Sequence, residues 1–422
     1  MSEELNKNDV PDGALPPIAV RSIRNKTAIS LNEPDRVPFM PSMNNFYALH
    51  YGVSIQKSME DARSLIIPLK KFCEDYDPDW VWNPIPFPVK PMETLKHNQA
   101  RWPGKYHNLP ENTPYQYVDK SYLSEDDWDE YFEDPTKFLL QKVIPNKFGA
   151  LNGLGFINPY AMCNHAVLAY GQFANPMVLE SLKLLAQGAL EVGEYMQGGI
   201  ELMMSVIQNG YPVYGGAPAC IPFDDFADNV RGLMEFCMDM TTDPECVDEA
   251  VKRWGDVSIP AAIETAKAAH CEDLFIPLHC GMDNFMSLEN YEKHYWPSLK
   301  RLIEAAVKAD LTPIVFCEGK YDTRLECLTD VPKGKVLYNF ENVDFKEAKR
   351  ILGGYAAIGG GMDTRTLMNG TPEQVEEETR RALDILAPGG GYFMSNSIAL
   401  DDVPAANMHA WRNALEKYGR YR

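Results

Sequence analysis

Two dipeptides in the second half of the chain carry the densest chemistry. His279-Cys280 follows the apolar run Leu274–Leu278, and Cys317-Glu318 follows Thr312–Phe316. Imidazole, thiolate and carboxylate are zinc ligand types, and three of them with one open position make a catalytic centre. His279, Cys280, Cys317 and Glu318 are therefore the candidate metal ligands. Consecutive strand residues point to opposite faces, so one member of each pair packs against helices unless the strand has already ended. On the competing structural reading, Cys280 and Cys317 are small buried hydrophobes and His279 is a hydrogen-bonded core histidine. Glu318 ends an apolar strand and precedes a glycine, a position suited to proton transfer. Asp363, after Gly359-Gly360-Gly361-Met362, is the second candidate carboxylate; it either orients a substrate or caps the next helix. Asp224, Asp225 and Asp228 precede Arg231-Gly232 at helical spacing, which suits a structural ion pair.

These groups need strands to end where they sit. Strand-like runs occur at Tyr211–Gly215, Leu274–Leu278, Thr312–Phe316, Lys335–Asn339, Tyr355–Ile358 and Gly391–Met394, with two earlier ones at Arg36–Met40 and Asp79–Trp82. Amphipathic stretches such as Leu288–Lys308 and Pro372–Leu386 lie between them, and further helices are expected over 55–76 and 175–209. Eight strands with helical crossovers predict an α/β chain folded as a (β/α)8 TIM barrel. Residues 1–30 read as a mobile leader and 31–422 as a single barrel domain. Residues 84–210, which include a proline- and aromatic-rich stretch, read as an insertion between strands 2 and 3: an inserted lid or helical region. The strand ends then gather Asn44, Phe46, Tyr47, Trp82, Asn83, Phe316 and Asn396 as the substrate-binding set.

Composition removes whole classes of function. The chain has 422 residues, with 40 Lys+Arg against 60 Asp+Glu and a net charge of −20. That charge repels a phosphate backbone and an anionic membrane surface alike. No run approaches the ~20 apolar residues of a membrane span. The polar, acidic N-terminus does not resemble a signal peptide, and the 9 cysteines form an odd, scattered set. The expectation is a cytoplasmic protein with free thiols and no nucleic-acid or membrane partner.

The order of strand ends resembles the uroporphyrinogen decarboxylase superfamily of (β/α)8 barrels. The resemblance rests on Asp35-Arg36-Val37-Pro38, Tyr214-Gly215-Gly216-Ala217-Pro218, Ile358-Gly359-Gly360-Gly361-Met362-Asp363, Gly370-Thr371-Pro372-Glu373-Gln374-Val375 and Gly389-Gly390-Gly391-Tyr392. It covers about residues 35–83 and 211–420. The superfamily joins the decarboxylases to zinc-dependent, corrinoid-linked methyltransferases. The decarboxylases' arginine pair after the first strand is missing from Met43-Asn44-Asn45-Phe46-Tyr47-Ala48-Leu49-His50, and Asn83 stands where their aspartate would. An eight-carboxylate tetrapyrrole is therefore poorly matched to this acidic chain. The methyltransferases' His-x-Cys falls on Phe316 and Glu318 here, and Ser395-Asn396 replaces their later cysteine.

The resemblance thus implies an enzyme of the O-demethylase type. It would move a methyl group from a small methylated donor of the methoxy-aromatic class to a corrinoid carried by a partner protein. Zinc on a rearranged ligand set, or Glu318 as proton donor, would neutralise the leaving oxygen. The alternatives are a metal-independent decarboxylase or lyase acting on a smaller substrate through Glu318 or Asp363, and a non-catalytic ligand-binding barrel. Residues 84–210 suit three roles: a lid, a homodimer surface or the dock for a corrinoid protein.

Overall fold

The computed structural model describes residues 15–83, 87–163, 165, 167–397 and 399–421. Residues 1–14 of the expected leader, and 84–86, 164 and 166 of the expected insertion, lie outside the described residues. Among the described residues nine strands occur in chain order: β1 (Val81–Trp82), β2 (Ala100–Arg101), β3 (Gln116–Tyr117), β4 (Val213–Tyr214), β5 (Asp273–Leu278), β6 (Thr312–Lys320), β7 (Leu337–Asn342), β8 (Ala357–Met362) and β9 (Tyr392–Asn396). Strands β5 to β9 form one parallel sheet in sequence order. Strand β1 pairs in parallel with β4, and β2 with β3 forms a small antiparallel ribbon.

Backbone pairing links these sheets. Past β4, Ala219 N donates to Phe275 O at 2.8 Å and Phe275 N donates to Ala217 O at 3.1 Å. At the other edge, Met40 N donates to Met394 O and Met394 N to Pro38 O, each at 2.9 Å. Asp79 N donates to Phe39 O at 2.8 Å, which joins that segment to the chain entering β1. Pairing therefore passes through eight chain segments, from 38–40 to β1, β4, β5, β6, β7, β8 and β9, and returns to 38–40.

The apolar runs are continuous because both strand faces are covered, as parallel sheets require. Leu274, Ile276, Leu278, Val315, Cys317, Tyr338, Phe340 and Ile358 join the main core with Leu299, Leu302 and Ile303 of helix Trp296–Lys308. The opposite face carries a second cluster of Met40, Trp80, Tyr214, Ile314, Leu337, Ala357 and Phe393, with Trp82 and Phe275 against it. We call this second face the inner one. Helix Pro372–Leu386 falls where its sequence signals place it, opened by a capping box between Thr371 and Gln374. The helix expected over 55–76 is broken at Asp61, whose φ of −152° leaves the helical region and whose carboxylate accepts from Arg63 N.

The leader is the main correction. Residues Pro17–Ile29 form a helix that is anchored, not mobile. Arg24 reaches Asp35 at 2.6 Å and Asp79 at 2.5 Å, and Asn25 Nδ2 donates to Asp79 O at 2.9 Å. Asp79 is fully buried and also holds Arg36 at 2.5 Å and Phe39 N at 2.8 Å. Ala28 and Ile29 complete the inner cluster. Apolar periodicity misses this helix because polar side chains do most of the anchoring.

The region 84–210 contains helix Val89–Leu95, the β2–β3 ribbon, several short turns and the long helix Pro176–Gln208. Among the described residues no helix is long and apolar enough to cross a membrane. All nine cysteines are free.

Candidate active site

Strand alternation decides which groups meet. On β6, Ile314 belongs to the inner cluster while Val315 and Cys317 belong to the outer core. Phe316 and Glu318 therefore share the inner face with Ile314. On β5, Phe275 packs inward while Leu274, Ile276, Leu278 and Cys280 pack outward, which sends His279 inward just past the strand end. On β7, Leu337 is inner and Tyr338 and Phe340 are outer, so Asn339 and Glu341 face inward. His279, Glu318 and Glu341 thus crown the carboxyl ends of three adjacent strands.

Two short helical segments hold this crown. Asp224, fully buried on helix Pro222–Phe226, accepts from His279 N at 2.8 Å, Cys280 N at 3.2 Å and Tyr295 Oη at 2.9 Å. Asp228 lies on the π-helical turn Ala227–Arg231, and its Oδ2 is 2.5 Å from His279 Nδ1. Turns of this kind recur at functional sites because they re-aim one side chain within a helix. The ribbon of the 84–210 region grips the same turn: Gln99 Nε2 and Tyr117 Oη donate to Asp228 O at 2.5 and 2.9 Å. Glu341 is held from the neighbouring strand, with Oε2 accepting from Gly319 N at 2.6 Å. Gly319 has φ +76°, and a Cβ there would meet Met282 Sδ at 2.7 Å, so the register shift of β6 just after Glu318 requires glycine.

The electrostatics divide the crown into an acid and a cation. Burial pushes the Glu318 carboxyl up, partly offset by His279, and the fields of Asp224, Glu341 and Asp228 add to the rise, to about 7. Burial opposes charge on His279, but the Asp228 hydrogen bond and the Asp224, Asp228 and Glu318 carboxylates outweigh it and raise the imidazole to about 9. At neutral pH His279 is an imidazolium donating to Asp228, and Glu318 is partly protonated. Burial lowers the nearby Lys147 ammonium to about 8, against Asp225 and Asp228. Groups whose environments push their pKa values apart are the mark of acid–base assignment.

Expected site residues fall into three groups. Trp82 and Phe316 line the inner face, linked through Phe275 by ring centroids 4.4 and 6.3 Å apart. Asn83 stands at the end of β1, its N donating to Tyr214 O at 2.9 Å. Phe46 and Tyr47 are fully buried against Phe72 instead, with centroids 6.1 and 4.8 Å away. Asn44 is exposed. Asn396 ties β9 to the segment after Met40, accepting from Ser42 N at 2.7 Å and donating to Ser42 O at 2.9 Å.

Three sequence expectations need correction. Cys280 and Cys317 lie in the outer core, across their strands from His279 and Glu318, so the four expected zinc ligands do not converge. Among the described residues no group of three or more His, Cys, Asp or Glu is arranged to hold a metal ion. Asp363 caps helix Thr364–Asn369 by accepting from Arg365 N at 2.7 Å, and the Arg365 guanidinium 2.6 Å away holds its carboxyl below the usual range. A capped, ion-paired carboxylate is a poor proton donor. Arg231 pairs with Asp239 at 2.7 Å and leaves Asp228 to His279. Asp228, Asp224 and Glu341, which carry no site assignment from sequence, join His279 and Glu318 at the strand ends. The acidic cluster on one helical stretch was the signal for the first two; only pairing register brings it to the β5 end.

No curated protein sequence matches the chain. Among solved structures, a methyltransferase from Methanosarcina mazei superposes with a TM-score of 0.60 at 14% identity, covering 94% of this chain and 98% of that one. A B12-independent methionine synthase from Shewanella overlaps 51% of this chain and 63% of its own at 13% identity and a TM-score of 0.35. The first shows a shared α/β fold, and the second is too distant to carry an argument. The family model described as uroporphyrinogen decarboxylase (URO-D) matches residues 170–418, more than half of the chain, and the protein belongs to that family.

Proposed function

We propose that the protein transfers a methyl group from a small methyl ether, of the methoxy-aromatic class, to a reduced corrinoid carried by a partner protein. The reading takes the ring of eight paired segments as a closed (β/α)8 barrel, with residues 84–210 inserted between its second and third strands. Substrate enters at the carboxyl ends of the strands. The observation that carries the proposal is Glu318: a half-buried carboxyl on the inner face, raised to about 7.

Breaking an aryl–O–CH3 bond leaves both bonding electrons on oxygen. That oxygen needs a proton as charge develops, and a carboxylic acid with a pKa near the working pH delivers one efficiently. Glu318 supplies it. The imidazolium of His279, held by Asp228, places a fixed positive charge among the carboxylates and stabilises the Glu318 carboxylate that proton transfer leaves behind. The reduced corrinoid supplies the electron pair that takes up the methyl group. Trp82, Phe275 and Phe316 form an apolar aromatic wall suited to a flat substrate and exclude water from it. No step passes through zinc, since the expected ligands do not converge.

The test is incubation with a reduced corrinoid protein and a panel of methoxyarenes. Appearance of methyl–cobalt absorbance with release of the phenol supports the reading, and silence across the panel overturns it. The same acid also suits a decarboxylase, where Glu318 would protonate a carbanion; family membership favours keeping that second reading. Carbon dioxide release from a small carboxylic acid, without methyl transfer, would select it.

A further inference from the structure

The layer beneath Glu318 and Glu341 contains a polar group that the fold does not use. Asn339 is 1% exposed, yet neither its Nδ2 nor its Oδ1 has a hydrogen-bond partner. Buried amides are nearly always paired, and leaving both ends unpaired is costly. Ser395, fully buried on the inner face of β9, likewise has an unpartnered Oγ. Register places the two on either side of β8: Asn339 pairs with Gly359, and Gly359 with Phe393, the inner-face residue two positions before Ser395. Strands two apart are separated by about 10 Å, the width of a substituted benzene ring. Gly359 has no side chain of its own and the Asn339 amide lies over it, since a Cβ there would clash with Asn339 Oδ1. In the same register row, Phe316 flanks Asn339 on one side and Phe393 lies beyond Gly359 on the other.

We infer that Asn339, with Ser395, is the recognition site for an uncharged aryl hydroxyl, so that the substrate class is a phenol carrying the methoxy group elsewhere on its ring. A hydroxyl donates to Oδ1 and accepts from Nδ2, and so satisfies both orphaned atoms of one amide. A carboxylate is the wrong partner, because it can accept from Nδ2 but has no proton to donate to Oδ1. The phenylalanines of the register row hold the ring edge. This inference rests on the aromatic-donor reading above, but it concerns binding and not transfer.

The experiment is calorimetric titration of the full chain with 2-methoxyphenol and with anisole, which lacks the hydroxyl. The wild-type protein should prefer 2-methoxyphenol by about tenfold or more, the worth of one well-made hydrogen bond to a buried partner. Asn339→Leu should erase that preference and raise Tm, because it removes two unpaired buried polar atoms. A merely structural asparagine would lower Tm when replaced. If Asn339→Leu fails to fold, Asn339→Ala and Ser395→Ala carry the same comparison. Equal binding of the two compounds, no binding of either, or a preference that survives in the variant overturns the inference. A preference abolished by Asn339→Leu in a protein that transfers no methyl group would sustain the inference and sink the proposed activity.

Discussion

His279 Nδ1 and Asp228 Oδ2 lie 2.5 Å apart, although 51 residues separate them in the chain. The pair joins a strand end to a π-helical turn and sets the charge of the whole crown. Because His279 is raised to about 9, the pair stabilises the fold fully below the unfolded histidine value near 6.5, and this is lost as pH rises through about 9. About a third of the histidine side chain is exposed (34%), so solvent screening limits the contribution to about 1–2 kcal/mol. Urea unfolding should show the wild type losing this increment between pH 6.5 and 9.5, and Asp228→Asn losing much less. Equal slopes for the two proteins would show that the pair does not form.

Glu318→Gln should lower methyl transfer about 10²–10⁴-fold, the usual span for a lost general acid. The wild-type rate should decline as pH passes about 7, where the acid form is depleted, and the variant should lose that limb. Rates on ethers with good leaving groups should suffer least. A pH profile identical in both proteins would remove Glu318 from proton transfer.

The ribbon's grip on Asp228 is testable without substrate. Gln99→Leu combined with Tyr117→Phe removes both side-chain donors to Asp228 O and leaves the His279–Asp228 pair in place. The His279 imidazole should then titrate lower than in the wild type, by NMR of histidine-labelled protein. Loss of stability without that displacement would make the ribbon a packing element only.

Cys317→Ala and Cys280→Ala remove buried thiols of the outer core and should each cost about 1–2 kcal/mol, by denaturant midpoint. Neither should change the metal content of the purified protein or abolish methyl transfer. Zinc lost together with activity in either variant would restore the thiolate site.

Arg24→Ala should destabilise the chain by about 3 kcal/mol, because it leaves Asp79 buried with one cation fewer. Removing residues 1–29 should cost more, since Ala28 and Ile29 also leave the inner cluster. Thermal unfolding of both variants checks this, and an unchanged Tm would make the helix dispensable.

Local signals were legible wherever one element carried its own instructions. Thr371-Pro372-Glu373 with Gln374 opens a helix in sequence as in structure, and the apolar runs of β5 to β9 are visible because both faces are buried. Glu318 was legible for the same reason: a carboxylate closing an apolar strand has few structural uses. The helix Pro17–Ile29 was not legible, because its anchors are arginine and asparagine reaching Asp35 and Asp79 across the chain.

The sequence by itself determined the alternation of strands and helices, the acidic balance and the family, since these depend on residue type and local order. Only the tertiary structure decided which side of each strand faces inward, because a side chain's face depends on where pairing begins and not on its neighbours in sequence. That choice turned Cys280 and Cys317 outward, brought Asp228 to His279, and left Asn339 buried with nothing in the fold to bond.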